Sequence, residues 1–221
     1  MIAIVNYGMG NLRSVQKALE HLGATTHITH QPADLGAADA IVLPGVGAFG
    51  AAMQRLNEAG LTPALKRAIE NGKPFLGICL GLQLLFESSS ESPGVSGLGV
   101  LRGRVVGFAE TPHFPLRIPH IGWSRLRIAH PEYPLWRDVP DGVYVYFVHS
   151  YYAVPEPAGD GAIHADTSPI TAYCEYGVRF ACAVSRGNLH AVQFHPEKSS
   201  ETGLQILRNF LALVGAVACT P

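Results

Sequence analysis

Phe75-Leu76-Gly77-Ile78-Cys79-Leu80-Gly81 reads as an apolar strand, Phe75 to Ile78, that ends at a cysteine and turns sharply into a helix. Gly77 and Gly81 flank the cysteine as G-x-C-x-G, the form of a nucleophile elbow, in which the central side chain is held above a sheet in a strained conformation. The residues before it alternate in the same way. Ile2 to Val5 reads as a buried strand and Asn6 to Asn11 as a turn-rich loop. Apolar residues at 12, 15, 18, 19 and 22 predict a helix that Gly23 ends. Thr25 to Thr29 and Asp39 to Leu43 read as strands, the second running into Pro44-Gly45-Val46-Gly47, and helices are expected over Ala51 to Ala59 and Leu61 to Glu70. Such alternation builds a parallel sheet covered on both faces.

From about Val100 the pattern changes to closely spaced strands: Gly103 to Phe108, Gly142 to Val148, Ile170 to Glu175, Arg179 to Ser185 and Leu189 to Phe194. Without long helices between them, they are expected to add antiparallel strands to the same sheet. Pro155 to Gly161 reads as an exposed loop, and Glu201 to Val214 as a closing amphipathic helix. The expected fold class is therefore α/β with three layers: a central, mostly parallel sheet with antiparallel additions and helices on both faces. It is expected to form a single domain over residues 1–221.

Composition narrows the function. Of 221 residues, 48% are hydrophobic and 15% charged, which supports a packed core and excludes a disordered chain. A formal charge of −1 provides no basic excess for nucleic acid or an anionic membrane. No apolar run approaches transmembrane length. Cys79, Cys174, Cys182 and Cys219 show no C-x-x-C spacing, so a reduced, cytoplasmic setting is expected. His27 and His30 read as a solvated strand end rather than a zinc site, and neither metal nor cofactor is expected.

A thiol at a helix N-terminus has its thiolate favoured by free N–H groups and the helix dipole. The N–H of Leu80, directly after it, is placed to donate to an oxyanion. Such a nucleophile needs an imidazole to take its proton and pass it to a leaving amine. Gln193-Phe194-His195-Pro196-Glu197 offers one. Side chains two apart on an extended segment point the same way, and Pro196 biases His195 into that conformation. Glu197 can then reach the far ring nitrogen and fix the tautomer.

Taken together, Gly77 to Gln83 and Gln193 to Glu197 resemble the class I glutamine amidotransferases, which use a Cys-His-Glu triad. Asn6-Tyr7-Gly8-Met9-Gly10-Asn11, Pro44 to Phe49, Pro119-His120-Ile121-Gly122-Trp123, Tyr146 to Tyr151 and Lys198-Ser199 narrow the resemblance. They are similar to the glutaminase subunit of imidazole glycerol phosphate synthase, over residues 2 to about 213.

The resemblance implies that Cys79 attacks the side-chain amide of L-glutamine, giving a glutamyl thioester and ammonia, with His195 and Glu197 completing the triad. It implies an oxyanion hole from the N–H groups of Val46 and Leu80, and substrate ends held by Gln83 and Glu91. Gly47 and the backbone of Ser150 and Tyr151 line the pocket. It implies a heterodimer with a (β/α)8 cyclase, docked through Asn11, Trp123, Tyr146 and Lys198. The pair makes imidazole glycerol phosphate and an aminoimidazole carboxamide ribonucleotide in histidine biosynthesis. One departure stands out: the family's usual Gly-Trp-Asn is Gly122-Trp123-Ser124 here, which puts any contact of that asparagine in question.

Three other readings compete: the glutaminase component of anthranilate or aminodeoxychorismate synthase, a cysteine peptidase or γ-glutamyl hydrolase, and a scaffold that has lost its chemistry. The Asn6–Asn11 and Phe49 loops oppose the first. Gln83 and the expected partner face oppose the second, and the complete set Cys79, His195 and Glu197 opposes the third.

Overall fold

The structure, a computed structural model, describes residues 1–156 and 168–215. Cys219 and most of the loop expected at Pro155 to Gly161 lie outside them. The first half runs β1 (Ile2–Val5), α1 (Leu12–His21), β2 (Thr26–Thr29), α2 (Pro32–Ala37), β3 (Ala40–Gly45), α3 (Phe49–Glu58), α4 (Leu61–Glu70), β4 (Phe75–Cys79) and α5 (Leu80–Gln83). The second runs β5 (Ser88–Ser89), β6 (Gly103–Gly107), β7 (His120–Arg125), β8 (Arg127–Ile128), β9 (Tyr144–His149), β10 (Tyr151–Pro155), β11 (Ile170–Tyr176), β12 (Val178–Arg186), β13 (Leu189–Val192) and α6 (Ser200–Val214).

The central sheet has the order β2-β1-β3-β4-β13-β12-β10-β6-β5. β2, β1, β3, β4 and β13 are parallel, and β13 pairs antiparallel with β12, which leads into the later strands. Alternation along each strand divides the core. Ile2, Ile4, Val42, Leu76 and Ile78 face α1 and α6, where Val15, Leu19, Ile206 and Phe210 meet them. Ala3, Val5, Ile41, Leu43 and Phe75 face α2, α3 and α4, meeting Leu35, Leu56 and Leu65. Fully burying each of these Val, Leu, Ile and Phe side chains contributes about 1.5–3 kcal/mol, so both faces are firmly held. The three-layer expectation is met.

Gly23 ends α1 as read from sequence. It adopts φ +86°, and the N–H of Ala24 returns to the Leu19 carbonyl at 3.1 Å. The helix expected after Cys79 is present as a single turn. Carbonyls of Leu84, Leu85 and Phe86 accept N–H bonds from Leu98 to Leu101 instead of from a further helical turn, so α5 closes at Gln83. A single turn offers free N–H groups but little macrodipole.

One placement differs from expectation. β9 does not extend the central sheet; it pairs antiparallel with β7 in a separate two-stranded ribbon. Inward it carries Val145, Phe147 and His149, all buried, while its free edge is taken by the segment after β13: the N–H of His195 donates to Tyr146 O at 2.9 Å, and the Tyr146 N–H to Ser199 Oγ at 2.9 Å.

Candidate active site

β4 ends at Cys79 with φ +55° and ψ −111°, a conformation that costs a residue with a side chain about 1–3 kcal/mol. Its surroundings enforce it. β3 and β13 flank β4 on both sides, and only glycine fits at the bend. A Cβ on Gly81 would overlap the Leu43 carbonyl oxygen, and one on Gly77 would come 2.9 Å from Gly81 O. The Cys79 side chain stands at a cavity of about 300 Å³ lined by Val46, Gly47, Gln83, Glu91, Ser150 and Tyr151, among others.

β13 delivers the imidazole. His195 Nδ1 lies 2.8 Å from Glu197 Oε1, and the two side chains are 3% and 1% exposed. A carboxylate accepts, so Nδ1 carries the proton. The route is not the one read from sequence. His195 is extended, but Pro196–Lys198 forms a 3-10 turn that swings Glu197 back onto the ring. Nε2 of His195 is buried without a hydrogen-bond partner, on the side of the ring left for Cys79. Burial pulls the His195 pKa down, but the side chains of Cys79 and Glu197 outweigh it and hold the proton, so the pKa is raised. The thiol has two further contacts: Sγ faces the Val148 carbonyl at 3.8 Å and receives Gln193 Nε2 at 3.7 Å. Thiol and imidazole are thus neighbours, close enough for Cys79 to favour the charged ring, although Nε2 makes no fully formed hydrogen bond.

Gly45 pairs with Cys79 across β3 and β4, so Val46 and Leu80 follow at the same sheet edge. Both line the cavity, as does Gly47, which has φ +94°. Gly45 has no room for a side chain: a Cβ would overlap the Tyr7 hydroxyl and approach Leu80 Cβ to 2.9 Å. Tyr7 reaches there from the Asn6–Asn11 loop and donates to Pro44 O at 3.1 Å. Burial, with a smaller contribution from Cys79, raises its pKa.

Gln83 is 5% exposed, not solvated. Its Nε2 donates to Tyr151 O at 2.9 Å and to Gln193 Oε1 at 3.0 Å, leaving its carbonyl oxygen for the cavity. Glu91 sits in an ordered segment rather than a flexible loop: Ser90 N–H bonds Val105 O, and Ser92 N–H bonds Ser89 O. Its Oε2 accepts the N–H of Phe49 at 2.7 Å, capping α3 while it lines the cavity. Ser150 and Tyr151 line the same cavity.

On the outer face of the ribbon, Trp123 is 51% exposed and meets Tyr146 edge-on at 6.1 Å. Lys198 Nζ lies 5.9 Å from the Tyr146 ring centre. These three form one cluster outside the core. Asn11 is the residue before α1. His27 bonds Asp34 and His30 bonds Gln31.

Sequence reasoning missed Gln193, whose amide joins Gln83 to the thiol, although it opens the quoted Gln193–Glu197 stretch. It also missed the contact of Tyr7 with the β3 end. The signal was weak: a buried polar side chain declares its partner only once the sheet is assembled.

The glutamine amidotransferase class-I family profile matches residues 3–214. The fold also matches a crystal structure described as a glutamine amidotransferase (TM-score 0.71, 22% identity, covering 97% of this chain and 100% of that one). A second match is the glutaminase domain of Trypanosoma brucei CTPS with bound acivicin (TM-score 0.68, 19% identity, covering 99% and 95%). The chain belongs to the class-I glutamine amidotransferases. Within that class it is 51% identical to imidazole glycerol phosphate synthase subunit HisH of Thermosynechococcus vestitus, over 96% of this chain and 97% of that one. It is also 51% identical to the HisH subunit of Nostoc punctiforme, over 97% and 96%. Its place in the class is among the HisH subunits.

Proposed function

We propose that this chain is the glutaminase subunit of an imidazole glycerol phosphate synthase, with Cys79 as nucleophile, His195 as general base and acid, and Glu197 as its orienter. The observation that carries the residue assignment is the His195–Glu197 bond at 2.8 Å, with the free ring nitrogen left for Cys79 at the mouth of a cavity.

The thiolate of Cys79 attacks the Cδ of L-glutamine while His195 holds the proton. The oxygen gains the negative charge, and the N–H groups of Val46 and Leu80 receive it; losing one such donor costs about a hundred- to a thousandfold in rate. The C–N bond then breaks as His195 protonates the departing nitrogen, releasing ammonia and leaving a thioester on Cys79. Water gives a proton to His195, attacks the thioester, and frees glutamate and the thiol. Gln83, both of whose amide hydrogens are engaged, offers an acceptor to the substrate ammonium. Glu91 adds negative charge on the same side, and Gly47, Ser150 and Tyr151 complete the pocket.

Ammonia passes to a (β/α)8 cyclase partner, docked on Trp123, Tyr146, Lys198 and Asn11, which makes imidazole glycerol phosphate in histidine biosynthesis. Exposed Ile121 and Trp123, 59% and 51% accessible, support that face. No described helix is long and apolar enough to cross a membrane. We place the protein in the cytoplasm, where its described thiols stay unpaired, as one domain over residues 1–221.

The test is glutaminase and synthase assay of the reconstituted pair. Cys79→Ser should abolish glutamine-dependent synthesis yet leave synthesis from added ammonia intact. Loss of the ammonia-dependent reaction in that variant would overturn the division of labour.

A further inference from the structure

The ribbon of β7 and β9 has two faces. Outward it presents Ile121, Trp123 and Tyr144, all strongly exposed. Inward it presents a pair of buried histidines, His120 and His149, directly opposite each other in the register and 1% and 6% exposed. The mechanism above uses neither.

Their hydrogen bonds run in one direction. The carbonyl of Tyr151 only accepts, so His149 Nδ1, 2.8 Å away, carries the proton. His149 Nε2 is then an acceptor, and His120 Nδ1, 3.0 Å away, donates to it. That leaves His120 Nε2 bare, and the hydroxyl of Ser124 donates to it at 2.8 Å. The assignment requires both rings to be neutral. Burial lowers the His120 pKa to about 4 and the His149 pKa to about 3, outweighing the bond from His149 to the Tyr151 carbonyl, which favours the charged ring. Aromatic rings fix the planes: His120 stacks between Phe147 at 4.7 Å and Tyr176 at 3.9 Å. Phe108 and Phe180 flank His149, each at 5.2 Å.

The row ends at the pocket. Tyr151 O accepts from His149 and also from Gln83 Nε2, so both of its lone pairs are engaged. Gln83 in turn bonds Gln193, whose amide donates to Cys79 Sγ. We propose that Ser124, His120 and His149 are positioning residues that fix the Tyr151 carbonyl, and through it Gln83, so that substrate affinity depends on a hydroxyl on the docking strand. This rests on the reading of the cavity as the glutamine site.

A pair of core histidines that merely filled space would be indifferent to the Ser124 hydroxyl. In the assembled complex, Ser124→Ala should raise the KM for glutamine about five- to tenfold, the effect of leaving one buried acceptor unpaired. kcat and ammonia-dependent synthesis should be unchanged. Ser124→Asn, whose amide can donate to the same nitrogen, should restore the KM. In the wild-type protein, 15N spectra of the imidazoles should show His120 and His149 both protonated at Nδ1. An unchanged KM in Ser124→Ala, no rescue by Asn, or either ring protonated at Nε2 would overturn the proposal. A wild-type complex that hydrolysed no glutamine would instead overturn the pocket reading, leaving the ring assignment to the spectrum.

Discussion

Gly45 and Cys79 face each other across two parallel strands, and this pairing sets the proposed oxyanion loop and the proposed nucleophile at one level of the sheet edge. The Tyr7 hydroxyl and the Leu80 side chain close the space above Gly45. Gly45→Ala should therefore displace the Val46 peptide and cut glutaminase kcat by about a hundredfold or more. Substrate affinity should change far less; steady-state kinetics of the complex separates the two.

Gly81→Ala places a methyl group against the Leu43 carbonyl. Overpacking of this kind costs about 1–3 kcal/mol. The variant should show that loss in its denaturation midpoint and be inactive even where folded.

His195 holds its proton because Cys79 and Glu197 favour the charged ring against burial. Cys79→Ala and Glu197→Gln should each move the midpoint of the His195 ring resonances downward. The sign for stability follows: with the folded pKa raised, the contribution of His195 is complete below its unfolded pKa, about 6.5, and disappears as pH rises through the folded one. An upward shift in either variant would contradict the assignment.

Three other histidines act in the opposite sense. Burial lowers His120 and His190 to about 4 and His149 to about 3. Unfolding between pH 6.5 and 4 then takes up protons, so stability should fall as pH drops through that window. Chemical denaturation across it should show a slope corresponding to about two to three protons.

Trp123 is half exposed and packs on Tyr146 outside the core. Trp123→Ala should leave stability within about 0.5 kcal/mol. It should weaken cyclase binding about tenfold or more, as for an aromatic anchor of an interface. Calorimetric titration against the cyclase measures this directly.

The parallel half of the fold was legible because hydrophobic period and glycine punctuation are local: α4 has the bounds read from sequence, Leu61–Glu70. Six-residue α2 was overlooked, since it is too short for a period to register. Pro32 at its start was the available signal. The ribbon was misplaced because strand pairing is a long-range choice. β9 reads like its neighbours, but its edge is claimed by His195 and Ser199. At the site, the elbow and the His-Pro-Glu motif announce themselves by spacing, whereas the 3-10 turn that brings Glu197 to the ring does not. Gln193 and Tyr7 do not, since their partners lie far away along the chain.

The division of β7 and β9 into an outer and an inner face has a consequence for engineering. Ile121, Trp123, Arg125 and Tyr144 alternate with His120, Ser124, Val145 and Phe147 along the same two strands. Recognition of a foreign barrel could therefore be transplanted at every second position while the residues between them stay untouched. Cognate and orthogonal pairs would then share one chemistry and differ only in whom they bind.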